Sequence, residues 1–187
     1  MIAGRGASAN VYDELLGPAF AALHPHVRDA HRSPLDAKGT IDVVHGSHWL
    51  TRLLVGLFSL PAAGSAQPTV VRVADEVSAA GHRQMRWSRL IGHSELQTRQ
   101  SARRGLLVEQ NGRGAVEFAL REEQGALVYD QRSMRLLQIP LWSPLSPRIH
   151  ARVSPAAVGW HVDVRVEWRG HLICRYAGSM SRVETRR

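Results

Sequence analysis

The sequence predicts an α+β domain: a curved antiparallel β-meander of about 8–10 strands, bent toward a half-open barrel, with two short N-terminal helical segments packed on it. Three observations carry this. Apolar residues before Pro61 recur at helical spacing. From Thr69 onward the period drops to two. Short turn signals, not long crossovers, separate the strand-like runs, which suits antiparallel neighbours.

Asn10 offers a helix cap with Asp13 three residues on. Leu16, Phe20, Leu23 and Val27 then fall on one helical face. Gly17-Pro18 and His24-Pro25 interrupt that face, so short pieces are expected instead of one rod. Thr40 to His45 reads as a strand, and Ser47 as the cap of a second helix presenting Trp49, Leu50, Leu53, Leu54, Leu57 and Phe58. Pro61 ends it, and the Pro/Ala/Gly/Ser run through Pro68 reads as a loop.

Strands are predicted over 69–78, 82–91, 93–101, 104–110, 114–122, 125–133, 147–154, 158–168 and 170–178. Asn111-Gly112 is the strongest hairpin signal, placing a tight turn within Gln110 to Ala115. In the run after Val158, the residues Trp160, Val162, Val164, Val166 and Trp168 share one face. His161, Asp163, Arg165, Glu167 and Arg169 share the other, the pattern of a sheet with one dry face.

The chain has 187 residues, a length that fits one domain over 11–180 between a short tail at 1–10 and a basic tail at 181–187. A single cysteine, Cys174, and the lack of an apolar leader point to a cytoplasmic, reducing setting. The longest apolar stretch, Trp49 to Leu60, contains Arg52 and falls short of the ~20 residues a membrane span requires. Net charge is +8, from 23 Arg and the lone Lys38 against 16 acidic residues. The arginines are dispersed and form no basic stripe, so only salt-sensitive, sequence-independent attraction to nucleic acid is expected.

Glycine-rich phosphate loops, nucleophile elbows and HExxH metal motifs are absent. The pairs His24/His26 and His45/His48 lack a third ligand at a metal-binding spacing, so neither a metal nor a cofactor is expected. Cys174 lies on the same strand face as Leu172 and Tyr176 and reads as a small buried hydrophobe. The five Trp are the distinctive feature. Those on strands read as core, or as the lining of a pocket with a few polar anchors. The candidate ligand-binding set is Trp87, Arg89, Glu109, Trp160 and Tyr176. Arg89 shares a strand face with Trp87 and should pair inside the sheet with Glu109, leaving Asp163 outside in solvent.

In order, these motifs resemble an uncharacterised bacterial family, the domain of unknown function numbered 4166. The resemblance runs from Val11 to Gly178. It rests on the segment Tyr12 to Phe20, on His31-Arg32, Gly39 and Gly46, and on the leucine-rich helix ending at Leu60-Pro61-Ala62-Ala63-Gly64. Trp87-Ser88-Arg89, Leu106-Leu107-Val108-Glu109, Ile139-Pro140-Leu141 and Pro144-to-Pro147 follow, then Val162-Asp163-Val164, Gly170 and Tyr176-Ala177-Gly178. The chain departs from the family pattern at Trp142 and at Trp168-Arg169, where relatives often carry proline. The resemblance implies a compact domain, here in stand-alone form, whose relatives are sometimes joined to a dehydrogenase-like Rossmann domain. A reductase-like protein is therefore a candidate partner. The family brings no established activity.

The leading expectation is a non-catalytic module binding an apolar or amphipathic small molecule. The alternatives are a protein-docking scaffold and an enzyme using Arg89, Glu109, Asp163 and His31. A cavity of roughly 300–1,000 Å³ favours the binding module, and a filled core favours the scaffold.

Overall fold

The structure, a computed structural model, describes residues 10–49, 51–57, 60–112, 114–142 and 145–183, without the side chain of Arg52. The expected tail before Asn10, the helix positions Leu50 and Phe58, Pro144 of the link, and residues 184–187 lie outside the described residues.

Three short helices open the chain: α1 (Val11–Leu16), α2 (Pro18–Ala22) and α3 (Pro25–Ala30). Both prolines sit in a helical first turn, where the missing N–H costs nothing. They therefore start new helices at the points where the periodic face breaks. Asn10 and Asp13 form a reciprocal capping box on α1. The Asn10 Nδ2 also donates to the His31 carbonyl at 2.9 Å, tying the start of α1 to the end of α3.

The strands are β1 (Leu35–His45), β2 (Gly64–Val77), β3 (Arg83–Ile91), β4 (Ser94–Arg103), β5 (Leu106–Asn111) and β6 (Gly114–Glu123). They continue as β7 (Ala126–Leu136), the two-residue β8 (Ile139–Pro140), β9 (Arg148–Pro155), β10 (Trp160–Trp168) and β11 (His171–Arg182). A fourth helix, α4 (Thr51–Leu57), lies between β1 and β2.

The expected half-open α+β meander is corrected by the pairing. Every strand pair is antiparallel. Sequential neighbours pair from β1 to β7, then β7 pairs β9, β9 pairs β10, β10 pairs β11, and β11 returns to β1. Ten strands therefore form a closed β-barrel, with β8 a short flap on β7. Closure satisfies both sheet edges and leaves an inside and an outside. The inward set follows the two-residue period: Leu35, Ala37, Ile41 and Val43 on β1, and Met85, Trp87 and Ile91 on β3, are all buried.

Two further expectations shift. The Pro61-to-Pro68 run is not wholly loop, because β2 already begins at Gly64. Its pairing with β1 slips between Ile41 and Val43, and Ala66 takes a positive φ of 47°. Such an irregular strand end accommodates glycine and proline. The β5–β6 hairpin forms as expected, but Asn111 pairs with Gly114, so Asn111 still belongs to the strand and the turn begins at Gly112, one residue later. The Asn111 Oδ1 accepts from the Gly114 N–H at 2.9 Å.

The helices are not spread over one sheet face. α1, α2 and α3 close one barrel end, contacting β3 to β6, β9 and β10. Tyr12, Phe20, Leu23 and Val27 join the barrel interior in one core. The predicted second helix, α4, is at the opposite end, beside β11. Among the described residues, no helix is long and apolar enough to cross a membrane.

Candidate functional site

A cavity of about 210 Å³ runs along the barrel interior. It extends from His31, Trp87 and Tyr129 beneath the helical cap to Asn111, Gly114 and Pro147 at the other end. Its walls are mainly aliphatic and aromatic, and its polar groups concentrate on β3, β4 and β5. The core is thus not filled, although the space is smaller than the ~300–1,000 Å³ typical of sites for drug-sized ligands.

All five predicted residues line this cavity, from the four strands β3, β5, β10 and β11. Arg89 follows Trp87 by two and so faces inward, its Cζ 4.9 Å from the Trp87 ring centre. Glu109 follows the buried Leu107 by two on β5. The Arg89 guanidinium reaches past β4, donating to Thr98 Oγ1 at 2.9 Å and to Glu109 Oε1 at 3.3 Å. The two side chains are 17% and 22% exposed. Burial is the largest influence and works against the Arg89 charge, but Glu109 together with Tyr176, Tyr12 and Tyr129 outweighs it and holds the Arg89 pKa above its ordinary value. Trp160 and Tyr176 line the cavity from β10 and β11, away from the Arg89–Glu109 pair's own strands. Burial pushes the Tyr176 phenol up to about 12.

Sequence reasoning offered His31 only for an enzyme and missed Tyr12, Gln100 and Tyr129, the rest of the polar wall. Gln100 Nε2 donates to Glu109 Oε2 at 3.1 Å, and Tyr12 O–H donates to Gln100 Oε1 at 2.6 Å. Tyr12 and Tyr129 hydroxyls lie 3.2 Å apart, and Tyr129 meets His31 Nε2 at 2.9 Å. His31 Nδ1 lies 2.7 Å from the Val27 carbonyl. The chain of contacts therefore runs from helix α3 to Arg89 without a break. One signal was present: Tyr12 and His31 extend the Leu16, Phe20, Leu23, Val27 series by four residues at each end.

Chemistry assigns the hydrogens. A carbonyl only accepts, so His31 Nδ1 carries hydrogen, and in a neutral ring Nε2 accepts from Tyr129. The Gln100 amide must turn its N–H₂ toward the carboxylate, leaving Oε1 to accept from Tyr12. Both hydroxyl hydrogens are then committed, and the Tyr12–Tyr129 contact has none. Protonating His31 would supply the missing hydrogen and gain about 1 kcal/mol for that bond. Burying the resulting imidazolium costs several kcal/mol. Desolvation by burial, with a smaller push from the Arg89 charge, accordingly lowers the His31 pKa from 6.5 to about 4 against the Val27 hydrogen bond.

This gives a signed pH dependence. Above pH 6.5 neither folded nor unfolded His31 binds a proton, and its contribution to stability is complete. Between pH 6.5 and 4 the unfolded chain takes a proton that the folded one refuses, so stability falls by up to about 3 kcal/mol. Thermal melts of wild type and His31→Gln across this range should show a shallower acid slope in the variant. Parallel curves would place the proton elsewhere.

Of the enzyme-like quartet, Arg89, Glu109 and His31 line the one cavity, and Asp163 does not join them. Asp163 faces outward, where its carboxylate takes Arg175 Nε at 3.0 Å and an Arg175 terminal nitrogen at 2.7 Å. Cys174 is buried, and burial pushes its thiol up to about 11, far from the depressed pKa of a nucleophile. Among the described residues no three His, Cys, Asp or Glu side chains cluster as metal ligands. Trp87 Nε1 is buried without a hydrogen-bond partner among the described residues.

No curated protein matches the sequence. A crystal structure of a protein with unknown function from the DUF3598 family, from Nostoc punctiforme PCC 73102, is similar in fold, with a TM-score of 0.50 and 11% identity. The similarity covers 86% of this chain and 49% of that one, so the chain spans about half the length of that protein. At this identity the likeness speaks to the barrel alone. The family described as Domain of unknown function (DUF4166) matches residues 23–180, from the end of α2 nearly to the end of β11, and the chain belongs to that family.

Proposed function

We propose that the barrel binds a slender apolar or amphipathic small molecule along its axis. The supporting observation is the interior itself: an apolar cavity of about 210 Å³ with its polar groups gathered on one wall. Aliphatic side chains such as Val116, Ile149 and Val162 would hold the apolar part. The Trp87 N–H is a buried donor in need of an acceptor, so a carbonyl or hydroxyl oxygen is the polar group the wall favours. A free carboxylate is disfavoured, because Glu109 already neutralises Arg89. The volume argues for a narrow chain and against a fused-ring ligand.

The test is titration of the protein with a fluorescent long-chain amide or alcohol. Saturable binding with one equivalent is expected, with a change in Trp emission. Ala151→Phe, which places a ring in the cavity, should weaken binding about tenfold or more, ~1.4 kcal/mol. Undiminished binding in that variant would move the ligand outside the barrel, and no binding in wild type would favour the scaffold.

A further inference from the structure

In an up-and-down barrel, alternate connections gather at the same end. Opposite the helical cap lie five: 46–63, 92–93, 112–113, 137–147 and 169–170. Together they contain no Asp or Glu, but include Arg52, Arg113 and Arg169 with His48 and His93.

The same connections hold apolar residues that the fold leaves in the open. Trp49 is 78% exposed and Trp142 72%, with Leu53, Leu137, Ile139 and Leu145 also exposed. Trp49 and Leu53 belong to the β1–β2 connection, the other four to the β7–β9 connection. These two connections are separated by four strands one way round the ring and six the other. The apolar residues therefore stand on nearly opposite sides of this barrel end, where Leu60 and Pro147 of the same two connections line the cavity. Trp168, beneath Arg169 at 4.7 Å, lies at the same end. The five Trp thus divide: Trp87 and Trp160 line the interior, and Trp49, Trp142 and Trp168 stand at the end opposite the helical cap.

We propose that this rim seats on an anionic phospholipid bilayer, with the cavity mouth facing the lipid. Two arguments select this occupant. Exposed Trp and Leu on connections that carry arginines and contain no carboxylate of their own, the nearest being Glu95 and Glu167 at the adjoining strand ends, match the headgroup region, where indoles sit at the interface and arginines meet lipid phosphates. The rim is also continuous with the apolar cavity, so a ligand drawn from the membrane passes inward without crossing water. This second argument rests on the ligand-binding reading above; the first does not.

Vesicle co-sedimentation tests it, using phosphatidylcholine alone and phosphatidylcholine with about a third phosphatidylglycerol. Wild-type protein should bind the anionic vesicles, bind neutral ones at least about tenfold more weakly, and be released as salt rises through the range where the Debye length falls below ~8 Å. Trp49→Ala/Trp142→Ala should lose at least about tenfold in partitioning while keeping its melting temperature, because both rings are exposed. Ala151→Phe, which blocks the cavity, should bind vesicles like wild type, so the surface and cavity readings fail separately. Equal binding to both vesicle types, no binding to either, or an unchanged double-Trp variant would overturn the proposal. So would a dimer in sedimentation velocity that the double-Trp variant abolishes, since the rim would then cover a second copy of the chain.

Discussion

Arg89→Met should lower stability by about 3 kcal/mol, and adding Glu109→Leu should restore most of it. The reason lies in what each change leaves behind. Removing the guanidinium strands the Glu109 carboxylate inside the barrel with Gln100 as its remaining donor, and an uncompensated buried charge costs ~3–5 kcal/mol. The lower figure applies because both side chains retain some exposure to the cavity. Replacing both partners with apolar groups removes the stranded charge. For a chain of this length the single variant should melt about 6–12 °C lower. Equal destabilisation in single and double variants would mean the pair contributes through packing on Trp87 and not through charge. The same variants separate structure from binding: a ligand gripped by Arg89 would be lost in both, whatever their stability.

Gly178→Ala should be at least as damaging, although it adds one methyl group. Gly178 on β11 lies opposite Ile41 on β1, and a Cβ there would come within 2.0 Å of the Thr40 carbonyl oxygen and 2.7 Å of the Ile41 Cα. Gly39 meets the same difficulty from the other strand, 2.0 Å from the Ser179 carbonyl. These neighbours are backbone, so no rotamer change relieves the overlap and the two strands must part. Overpacking of side chains alone costs ~1–3 kcal/mol, and about 3 kcal/mol or more is expected here. Gly170→Ala is the control. Its φ of 81° strains any side chain by ~1–2 kcal/mol, yet nothing lies within 4 Å of the added methyl. Urea melts in which Gly178→Ala is no worse than Gly170→Ala would show that the β1–β11 contact is loose.

Local chemistry made the strands legible. A two-residue period and turn dipeptides depend on neighbours in sequence, and nine of the predicted runs correspond to barrel strands β2 to β7 and β9 to β11. The Arg89–Glu109 pair was legible for the same reason, since each follows a large inward side chain by two. Closure was not. Alternation along β1 and β11 is the same whether they are the two edges of an open sheet or partners across a seam. The fold class therefore rested on the helices, which turned out to plug an end. The joining of the tyrosines, Gln100 and His31 into one wall was illegible for a related reason: Tyr12 meets Gln100 and Tyr129 across 88 and 117 residues of sequence. No pattern within one segment records such a meeting.

The seam between β1 and β11 also orders the events of folding. Nearly every other strand pairs with the next along the chain, so its partner is recruited over a short loop. Ala37 and Arg182 must find each other across almost the whole chain. Loop-closure entropy grows by about 0.6 kcal/mol per doubling of length, which makes this one pairing cost roughly 4 kcal/mol more than a hairpin. The contact is unfavourable until the remaining staves are in place. The ring is thus a row of inexpensive local steps followed by one distant one, and its folding rate is set by that last encounter. Until it occurs, two strands expose unpaired backbone, and the chain is most open to association with its own copies.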